Sequence, residues 1–324
     1  MLTAFGLAKT GPLKLGEGCQ EPAPESAVWI DLLSPTKQED EFTEHFLGVP
    51  IPTLEEAQEI EFSSRFYEEN GGLFMTLSVL VGVEEGAPAL SPLTFALSGK
   101  RLATIRYHEF RAFRQFLVRA KSTDGLTLDG QGVMLGLLEA IIDRLADVVE
   151  RVGGEIDKVN HSVFRRRHEH RRKARGLEAL VDEIGIRGDL VAKVRESLAS
   201  LERLLQYATA EQSIFNAGRP KNRIKLMTRD VRSLADQIGF LSGKITFLLE
   251  ATLGLIQVEQ NEVVRILTVV STFFFPPTLI GTVYGMNFQN MPELGWGFGY
   301  PLVLILMVIS ALVPFLYFKR RGWL

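Results

Sequence analysis

The sequence predicts an α/β domain, followed by a long α-helical stalk and two transmembrane helices at the C-terminal end. Three observations carry this prediction. Short β-rich runs bounded by turn residues occupy the first third of the chain, apolar residues at helical spacing fill the middle, and two long uncharged apolar runs stand at the end. The 324 residues are enough for about two domains and a sizeable core.

We expect the chain to divide where its composition changes. The predicted segments are a cytoplasmic α/β domain over 1–129, a cytoplasmic helical region over 130–220, a stalk helix continuing into the first transmembrane helix over 221–284 with its membrane part at 264–284, an external loop over 285–299, a second transmembrane helix over 300–318 and a cytoplasmic basic tail over 319–324.

Four runs in the first segment are rich in β-forming residues. They cover 28–32, 73–81, 93–97 and 102–107, and Gly, Pro, Ser and charged residues bound them. This pattern is typical of a small sheet. From 130 to 207 the apolar residues instead follow a helical period, as in Leu137, Leu138, Ile141, Ile142 and Leu145.

The stalk is predicted from a seam of apolar residues separated by alternating steps of three and four, broken only by Thr252. Its members are Met227, Val231, Leu234, Ile238, Leu241, Ile245, Leu248 and Leu255. This spacing is typical of a coiled-coil-like contact. No proline lies between Pro220 and Pro276, so one helix could run for about 80 Å from the cytoplasm into the membrane.

Two uncharged runs are long enough to span a bilayer. No Asp, Glu, Lys or Arg occurs from 266 to 292, and the first 19 residues of that run would cover about 28 Å as a helix. The second run, 300–318, ends at Lys319, Arg320 and Arg321. Because the loop at 285–299 contains no Lys or Arg, the positive-inside rule places the basic tail in the cytoplasm.

Two spans return the chain to its starting side, which predicts a cytoplasmic N-terminal domain as well. The first 18 residues hold no continuous apolar core of the length that a signal peptide needs. We therefore expect a multi-pass protein of the cytoplasmic (inner) membrane, with both termini in the cytoplasm and only the short loop outside.

The first span carries a stripe that we interpret as a pore lining. Steps of three and four place on one helix face Asn261, Val264, Thr268, Ser271, Phe275, Thr278 and Thr282, with Leu267 beside them. The alternative is that these hydroxyls bond back to their own backbone or to a neighbouring helix. One helix cannot enclose a pore, so a channel requires a ring-shaped homo-oligomer in contact with membrane lipid.

Other functional classes find little support. The 36 basic and 39 acidic residues are well mixed, so the net charge of −3 does not favour binding to nucleic acid. The basic run at 165–173 could contact anionic lipid or nucleic acid, but it lacks interleaved aromatic residues and a solvated helix tip is preferred. One cysteine, Cys19, excludes a disulfide framework. No phosphate loop or nucleophile–base pair indicates an enzyme, and no cofactor is expected.

The end of the first span supplies a motif. Tyr284-Gly285-Met286-Asn287 is followed by Met291-Pro292-Glu293-Leu294. With Asn261-Glu262, Pro276-Pro277 and the closing residues from Tyr317 to Leu324, this segment resembles the CorA family of magnesium transporters. The likeness is strong over roughly the last 75 residues and rests on layout alone over the first 220.

The resemblance implies a funnel-shaped homopentamer that takes up Mg²⁺, and also Co²⁺ and Ni²⁺. It implies a selectivity filter at Gly285, Met286 and Asn287, with Asn287 forming a ring of amide oxygens at the outer mouth. Further inward, it places Thr278, Phe275, Leu267, Val264 and Asn261 along the pore. The family commonly has an acid where this chain has Gln289, which leaves Glu293 as the external loop carboxylate.

The resemblance also implies that intracellular Mg²⁺ closes the channel by bridging carboxylates of neighbouring cytoplasmic domains. Candidate acids are Glu84, Glu85 and Asp230, each of which could equally be a solvated surface acid. Neutral oxygens along the pore suit Mg²⁺, a hard ion that releases its waters reluctantly. Two alternatives remain: a ZntB-type Zn²⁺ transporter of the same architecture, although no His or Cys lies in either span or the loop, and a membrane-anchored coiled-coil scaffold without transport activity.

Overall fold

The computed structural model describes residues 1–6, 13–17, 27–59, 61–122, 129–165, 174–210, 219–287 and 291–323. Cys19, the basic residues 166–173 and Gln289 lie outside these ranges. The chain forms two compact units, one of Met1–Glu169 with Leu180–Leu248 and the other of His170–Ala179 with Leu249–Leu324. The division at 248/249 falls inside the long helix, and the bounds of the six predicted segments stay a prediction.

The first unit is built on a seven-stranded sheet. In chain order the described strands are β1 (Leu2–Gly6), β2 (Leu13–Glu17), β3 (Ala27–Leu33), β4 (Phe66–Glu69), β5 (Gly72–Val81), β6 (Ala89–Ser98) and β7 (Arg101–Arg106). Their spatial order is β2-β1-β3-β7-β6-β5-β4. β3 and β7 pair in parallel and the other neighbours are antiparallel.

Both faces of the central strands are buried, which explains their continuous apolar sequences. Alternate residues of β3 point to opposite faces: Ile30 and Leu32 belong to a core that also contains residues of α1 (Lys37–Leu47), whereas Trp29 points toward α4 (Arg111–Ser122). The Trp29 ring lies 6.0 Å from that of Phe113 and 5.9 Å from that of Phe116. Two helical layers therefore enclose the sheet.

Six more helices complete the described part of the chain. They are α2 (Leu54–Gln58), α3 (Phe62–Arg65), α5 (Gly130–Arg165), α6 (Ala174–Ala210), α7 (Arg219–Tyr284) and α8 (Gly299–Arg320), with a 3₁₀ turn at Pro292–Gly295. The predicted fold class is confirmed: an α/β domain precedes the long helix α7, whose C-terminal part is apolar, and a second apolar helix, α8.

The seam predicted on the stalk is buried. Met227, Val231, Ile238, Leu241 and Leu248 are each no more than 5% exposed. Thr252, the polar residue that interrupts the pattern, is also fully buried, and Leu234, Ile245 and Leu255 are half-buried. The apolar period therefore predicts correctly which face of α7 is covered.

Ion pairs fix the register of α7 against α5. Arg223 donates to both oxygens of Glu139, at 2.7 and 2.9 Å. Further along, Lys244 pairs with Asp157 and lowers the pKa of that carboxyl by hydrogen bonding and charge attraction. Because the contacted α5 residue number rises with the α7 number, the two helices run in the same direction here.

Candidate functional site

Two helices are long and apolar enough to cross a membrane, by length and composition: α7 from Pro220 and α8. Almost none of either apolar window is buried within the chain. Large exposed side chains such as Val264, Phe274 and Val313 cover both helices, each at least 60% exposed. Such a continuous apolar surface is stable against lipid or against other copies of the chain rather than against water.

The apolar half of α7 has one partly covered face. Its half-buried residues include Val269, Thr272, Pro276, Pro277, Ile280, Gly281 and Tyr284. Gly281 of α7 packs against α8, because a Cβ at this position would come within 2.8 Å of Met307 Cε. This glycine therefore permits close approach of the two helices, and its role was not predicted from the sequence, although glycine at a helix contact is a known packing signal.

The predicted stripe lies on the opposite face of α7. At about 100° per residue, its members centre on the side of the helix away from the half-buried residues. All are exposed: Asn261, Val264, Leu267, Thr268, Ser271, Phe275, Thr278 and Thr282. The fold therefore brings the predicted residues together along one surface that α8 does not cover.

Three of the four stripe hydroxyls bond to their own helix. Thr268 donates to the carbonyl of Val264 at 2.8 Å, Thr278 to that of Phe274 at 2.7 Å, and Thr282 to that of Thr278 at 2.7 Å. The back-bonding alternative is therefore observed, but it uses only the donor of each hydroxyl. Two lone pairs per oxygen stay available as acceptors. The surface can thus accept hydrogen bonds from the water shell of a cation.

The helix passes through Pro276 and Pro277 without a break. Because proline has no N–H, Pro276 and Pro277 cannot donate to the carbonyls four residues earlier. The carbonyls of Thr272 and Phe273 therefore lack their usual helical hydrogen bonds. Such free carbonyls within a membrane segment are tolerated where protein or water covers them.

The Gly-Met-Asn motif ends the helix. The N–H of Gly285 donates to the carbonyl of Gly281 at 2.9 Å, and the N–H of Met286 donates to that of Val283 at 3.3 Å. Gly285 is not left-handed, so the motif is not the usual glycine C-cap; a Cβ here would instead lie 3.0 Å from the carbonyl oxygen of Gly281. Asn287 follows, exposed and without a hydrogen bond to another described residue.

For Glu293, the carboxylate of the external loop, the structure describes the backbone alone. Glu293 lies in the 3₁₀ turn Pro292–Gly295, and its side chain, like all of Gln289, is outside the described part of the chain.

The three candidate regulatory acids lie on two separate elements. Glu84 and Glu85 occupy the loop joining β5 and β6, and Asp230 is exposed on α7, with Arg229 Nε 3.8 Å from its carboxylate. Glu84 is held between Arg111 and Arg144, beside a cavity of about 360 Å³. Among the described residues, no three metal-binding side chains come together. A single chain therefore presents no assembled cation site in its described part.

Comparison with known proteins identifies the family. Residues 24–320 match the family of CorA-like Mg²⁺ transporter proteins. A magnesium transport protein CorA of Pasteurella multocida is 33% identical over the full length of both chains.

Two solved structures share the fold. The CorA magnesium transporter of Methanocaldococcus jannaschii superposes with a TM-score of 0.77 at 18% identity, covering 100% of this chain and 99% of that one. The ZntB cytoplasmic domain of Vibrio parahaemolyticus is more distant, with a TM-score of 0.56 at 11% identity, covering 80% of this chain and 98% of that one. The chain therefore belongs to the CorA family of Mg²⁺ transporters, which are not enzymes.

Proposed function

We propose that this chain forms a homopentameric, channel-like pathway that carries Mg²⁺ into the cell across the cytoplasmic membrane, also admits Co²⁺ and Ni²⁺, and is closed by intracellular Mg²⁺. The observation that carries the proposal is the exposed stripe on α7, which faces away from α8 and leads to the Gly-Met-Asn motif. The curated relative from Pasteurella multocida is named for magnesium transport, which supports the same ion.

The position of α8 suits a ring of identical chains. If the stripe of each α7 faces a central axis, α8 lies toward the lipid, where its apolar side chains are stable. The basic tail after α8 and the α/β domain then lie in the cytoplasm, as the positive-inside rule requires. No residue of the stripe is charged, so the wall would not trap a divalent ion.

In this pathway Asn287 supplies a ring of amide oxygens at the outer mouth, supported by Gly285 and Met286. A neutral oxygen can accept hydrogen bonds from the water shell of Mg²⁺, and this ion gives up that water reluctantly. Further in, Thr282, Thr278, Ser271 and Thr268 continue a wall of hydroxyl acceptors, with Asn261 at the cytoplasmic end. Glu293 adds a negative charge to the external loop.

The membrane potential supplies the driving force. Moving a charge inward across 100 mV gains about 2.3 kcal/mol, so a divalent ion gains roughly 4.6 kcal/mol. Nucleotide hydrolysis is not needed.

The filter is tested by Asn287→Ala in proteoliposomes that hold the full chain. Loss of the amide ring should lower selective Mg²⁺ influx more than about tenfold, because several acceptors of the ion's water shell vanish at once. A fluorescent Mg²⁺ indicator reports the flux, and Zn²⁺, Co²⁺ and Ni²⁺ are compared in parallel.

Trp296→Ala serves as the matched control, because Trp296 lies in the same loop and is 68% exposed but is not in the motif. Its flux should equal that of the wild type. An Asn287→Ala protein that keeps its oligomeric size and carries Mg²⁺ at the wild-type rate would refute the filter assignment. A wild-type chain that carries Zn²⁺ in preference to Mg²⁺ would favour the ZntB alternative.

A further inference from the structure

The C-terminal end of α8 closes in a compact cap that the proposed pore does not use. Gly322 is left-handed, with φ of 69°, and its N–H donates to the carbonyl of Lys319 at 3.2 Å. The N–H of Trp323 donates to the carbonyl of Phe318 at 3.0 Å. Together these two bonds form a Schellman motif, which satisfies carbonyls that the last turn of a helix otherwise leaves free.

An apolar contact completes the motif. The Trp323 ring stacks on the Phe318 ring with centroids 5.3 Å apart and planes 20° apart. Phe318 is only 9% exposed, although its neighbour Tyr317 is 53% exposed. The cap therefore holds the indole in a defined place at the end of the helix.

Three consecutive basic residues lie within this cap. Lys319, Arg320 and Arg321 are all exposed, and none forms an ion pair with an acid in the described part of the chain. The Arg321 guanidinium lies 5.4 Å from the centre of the Tyr317 ring. Because the Schellman bonds already satisfy carbonyls of the last turn, the cations are not required as helix caps, and their charge is free for a partner.

We propose that this C-terminal cap, residues 317–323, binds the headgroup of an anionic phospholipid in the cytoplasmic leaflet. The inference rests on the proposed membrane placement of α8. In that placement, Tyr317 and Trp323 reach the depth of the headgroups, where amphipathic aromatic rings are stable. The cations then meet the phosphate of the lipid through charge-assisted hydrogen bonds, while the exposed Val313 and Leu316 contact its acyl chains.

Charge complementarity selects an anionic over a zwitterionic lipid. Each Lys or Arg near an anionic membrane surface strengthens attraction roughly fivefold. The cap holds three such residues within one helical turn and no acid. A lipid bound there would fix the depth of α8 in the bilayer.

The test uses the purified full chain in neutral detergent with equal amounts of phosphatidylglycerol and phosphatidylcholine that carry the same acyl chains. Native mass spectrometry measures which lipid is retained. The wild type should prefer phosphatidylglycerol, and the Lys319→Gln, Arg320→Gln, Arg321→Gln variant should lose roughly fivefold in that preference for each charge removed.

The matched control removes the same charge elsewhere, as Lys221→Gln, Lys225→Gln and Arg195→Gln, three exposed positions of α7 and α6. It should keep the wild-type preference. Gly322→Ala keeps every charge but strains the left-handed residue, so it should weaken retention and reduce quenching of Trp323 by brominated phosphatidylglycerol in a chain with Trp29→Phe and Trp296→Phe.

The inference is wrong if the triple variant retains phosphatidylglycerol as the wild type does, or if the control loses it equally. Displacement of the lipid by millimolar inorganic phosphate would show a free-anion site instead and would also overturn it. Lipid retention is independent of ion flux. A chain that carries Mg²⁺ without lipid preference refutes only the cap, and one with the preference but no flux refutes only the proposed function.

Discussion

Thr278 and Ser310 each donate a hydrogen bond to a backbone carbonyl one turn back on their own helix. Thr278 donates to the carbonyl of Phe274 at 2.7 Å, and Ser310 donates to that of Met307 at 2.8 Å. Only Thr278 belongs to the stripe, so the pair separates a role in the ion pathway from a role in helix structure.

We predict that Thr278→Val lowers Mg²⁺ flux and that Ser310→Ala does not. The net worth of one hydrogen bond to the ion's water shell, roughly 0.5–1.5 kcal/mol, corresponds to a two- to tenfold change in rate, so flux should fall by at least that much. Proteoliposome flux checks this. If both variants lose flux alike, the hydroxyls stabilise the helices and do not face the ion.

Asp31 is the centre of a buried polar network in the sheet. It accepts from Arg106 Nη2 at 2.9 Å and from Thr104 Oγ1 at 2.7 Å, and Thr104 Oγ1 in turn accepts from Trp29 Nε1 at 2.9 Å. Arg106 also donates to the carbonyl of His108, so the polar groups of this cluster are largely paired.

We predict that Asp31→Ala lowers the free energy of unfolding by about 3–5 kcal/mol, because it leaves the Arg106 charge buried without its partner. Asp143→Ala is the matched control: its carboxylate lies 3.0 Å from Arg119, but both side chains are more than half exposed, so the loss should be at most about 1 kcal/mol. Urea unfolding followed by Trp29 fluorescence in a chain without the other two tryptophans measures both. Equal losses would contradict a special role for burial.

At the scale of elements, the stripe offers a test of gating. Val264 and Leu267 are bulky apolar residues on or beside it, 60% and 64% exposed in a single chain. Rings of such residues would close a pore by expelling water. Phe275 is a third apolar member of the stripe, further toward the outer mouth.

We predict that Val264→Ser or Leu267→Ser raises the basal leak of Mg²⁺ under conditions that close the wild-type channel. Ile266→Ser is the control, since Ile266 is 57% exposed but points to another side of α7. It introduces the same polar group into the membrane helix. Patch-clamp or flux records with unchanged leak in the first two variants would remove these residues from the gate.

The helices could be predicted from sequence better than the strands. The seam from Met227 to Leu248 and the stripe from Asn261 to Thr282 follow the helical period, so their faces follow from spacing alone. β1, β2 and β4 were not predicted, because strands of four or five residues are too short for an alternating pattern to stand out. Their pairing depends on distant partners.

The sequence does contain a signal for the β4–β5 hairpin. Asn70 and Gly71 have φ of 50° and 78° and join Glu69 of β4 to its partner Gly72 of β5. Asn-Gly is the strongest short-range sign of a two-residue hairpin. By contrast, Glu84 contacts Arg144, which lies 60 residues further along the chain. Local spacing in the sequence does not reveal a contact between residues so far apart.

At the scale of the whole molecule, the proposed regulation by intracellular Mg²⁺ would require more than one chain. Asp230, Glu84 and Glu85 do not form a cluster with other ligands in the described part of one chain. Any bridging cation would therefore have to join neighbouring subunits, where it would offset the repulsion between acids.

We predict that the combined variant Asp230→Asn, Glu84→Gln, Glu85→Gln weakens inhibition of flux by Mg²⁺ and protection of the cytoplasmic domain from protease by Mg²⁺. The control Glu68→Gln, Glu69→Gln, Asp143→Asn removes three exposed acids elsewhere and should behave as the wild type. Glu84→Gln alone shows how much of any effect comes from releasing Arg111 and Arg144. If the combined variant keeps both responses at wild-type Mg²⁺ concentrations, the sensor lies elsewhere.

The parallel pairing of β3 with β7 sets an order of events during synthesis. The centre of the sheet cannot close before Arg106 leaves the ribosome, but it needs nothing beyond the first half of the chain except its covering helices. The uncharged run of the first span begins at Ile266, about 160 residues later, which corresponds to roughly 8–32 s of translation at about 5–20 residues per second. The nascent sheet therefore has time to form in the aqueous phase before the membrane insertion machinery meets an apolar segment, and a sheet variant that folds slowly would carry exposed strands into that encounter.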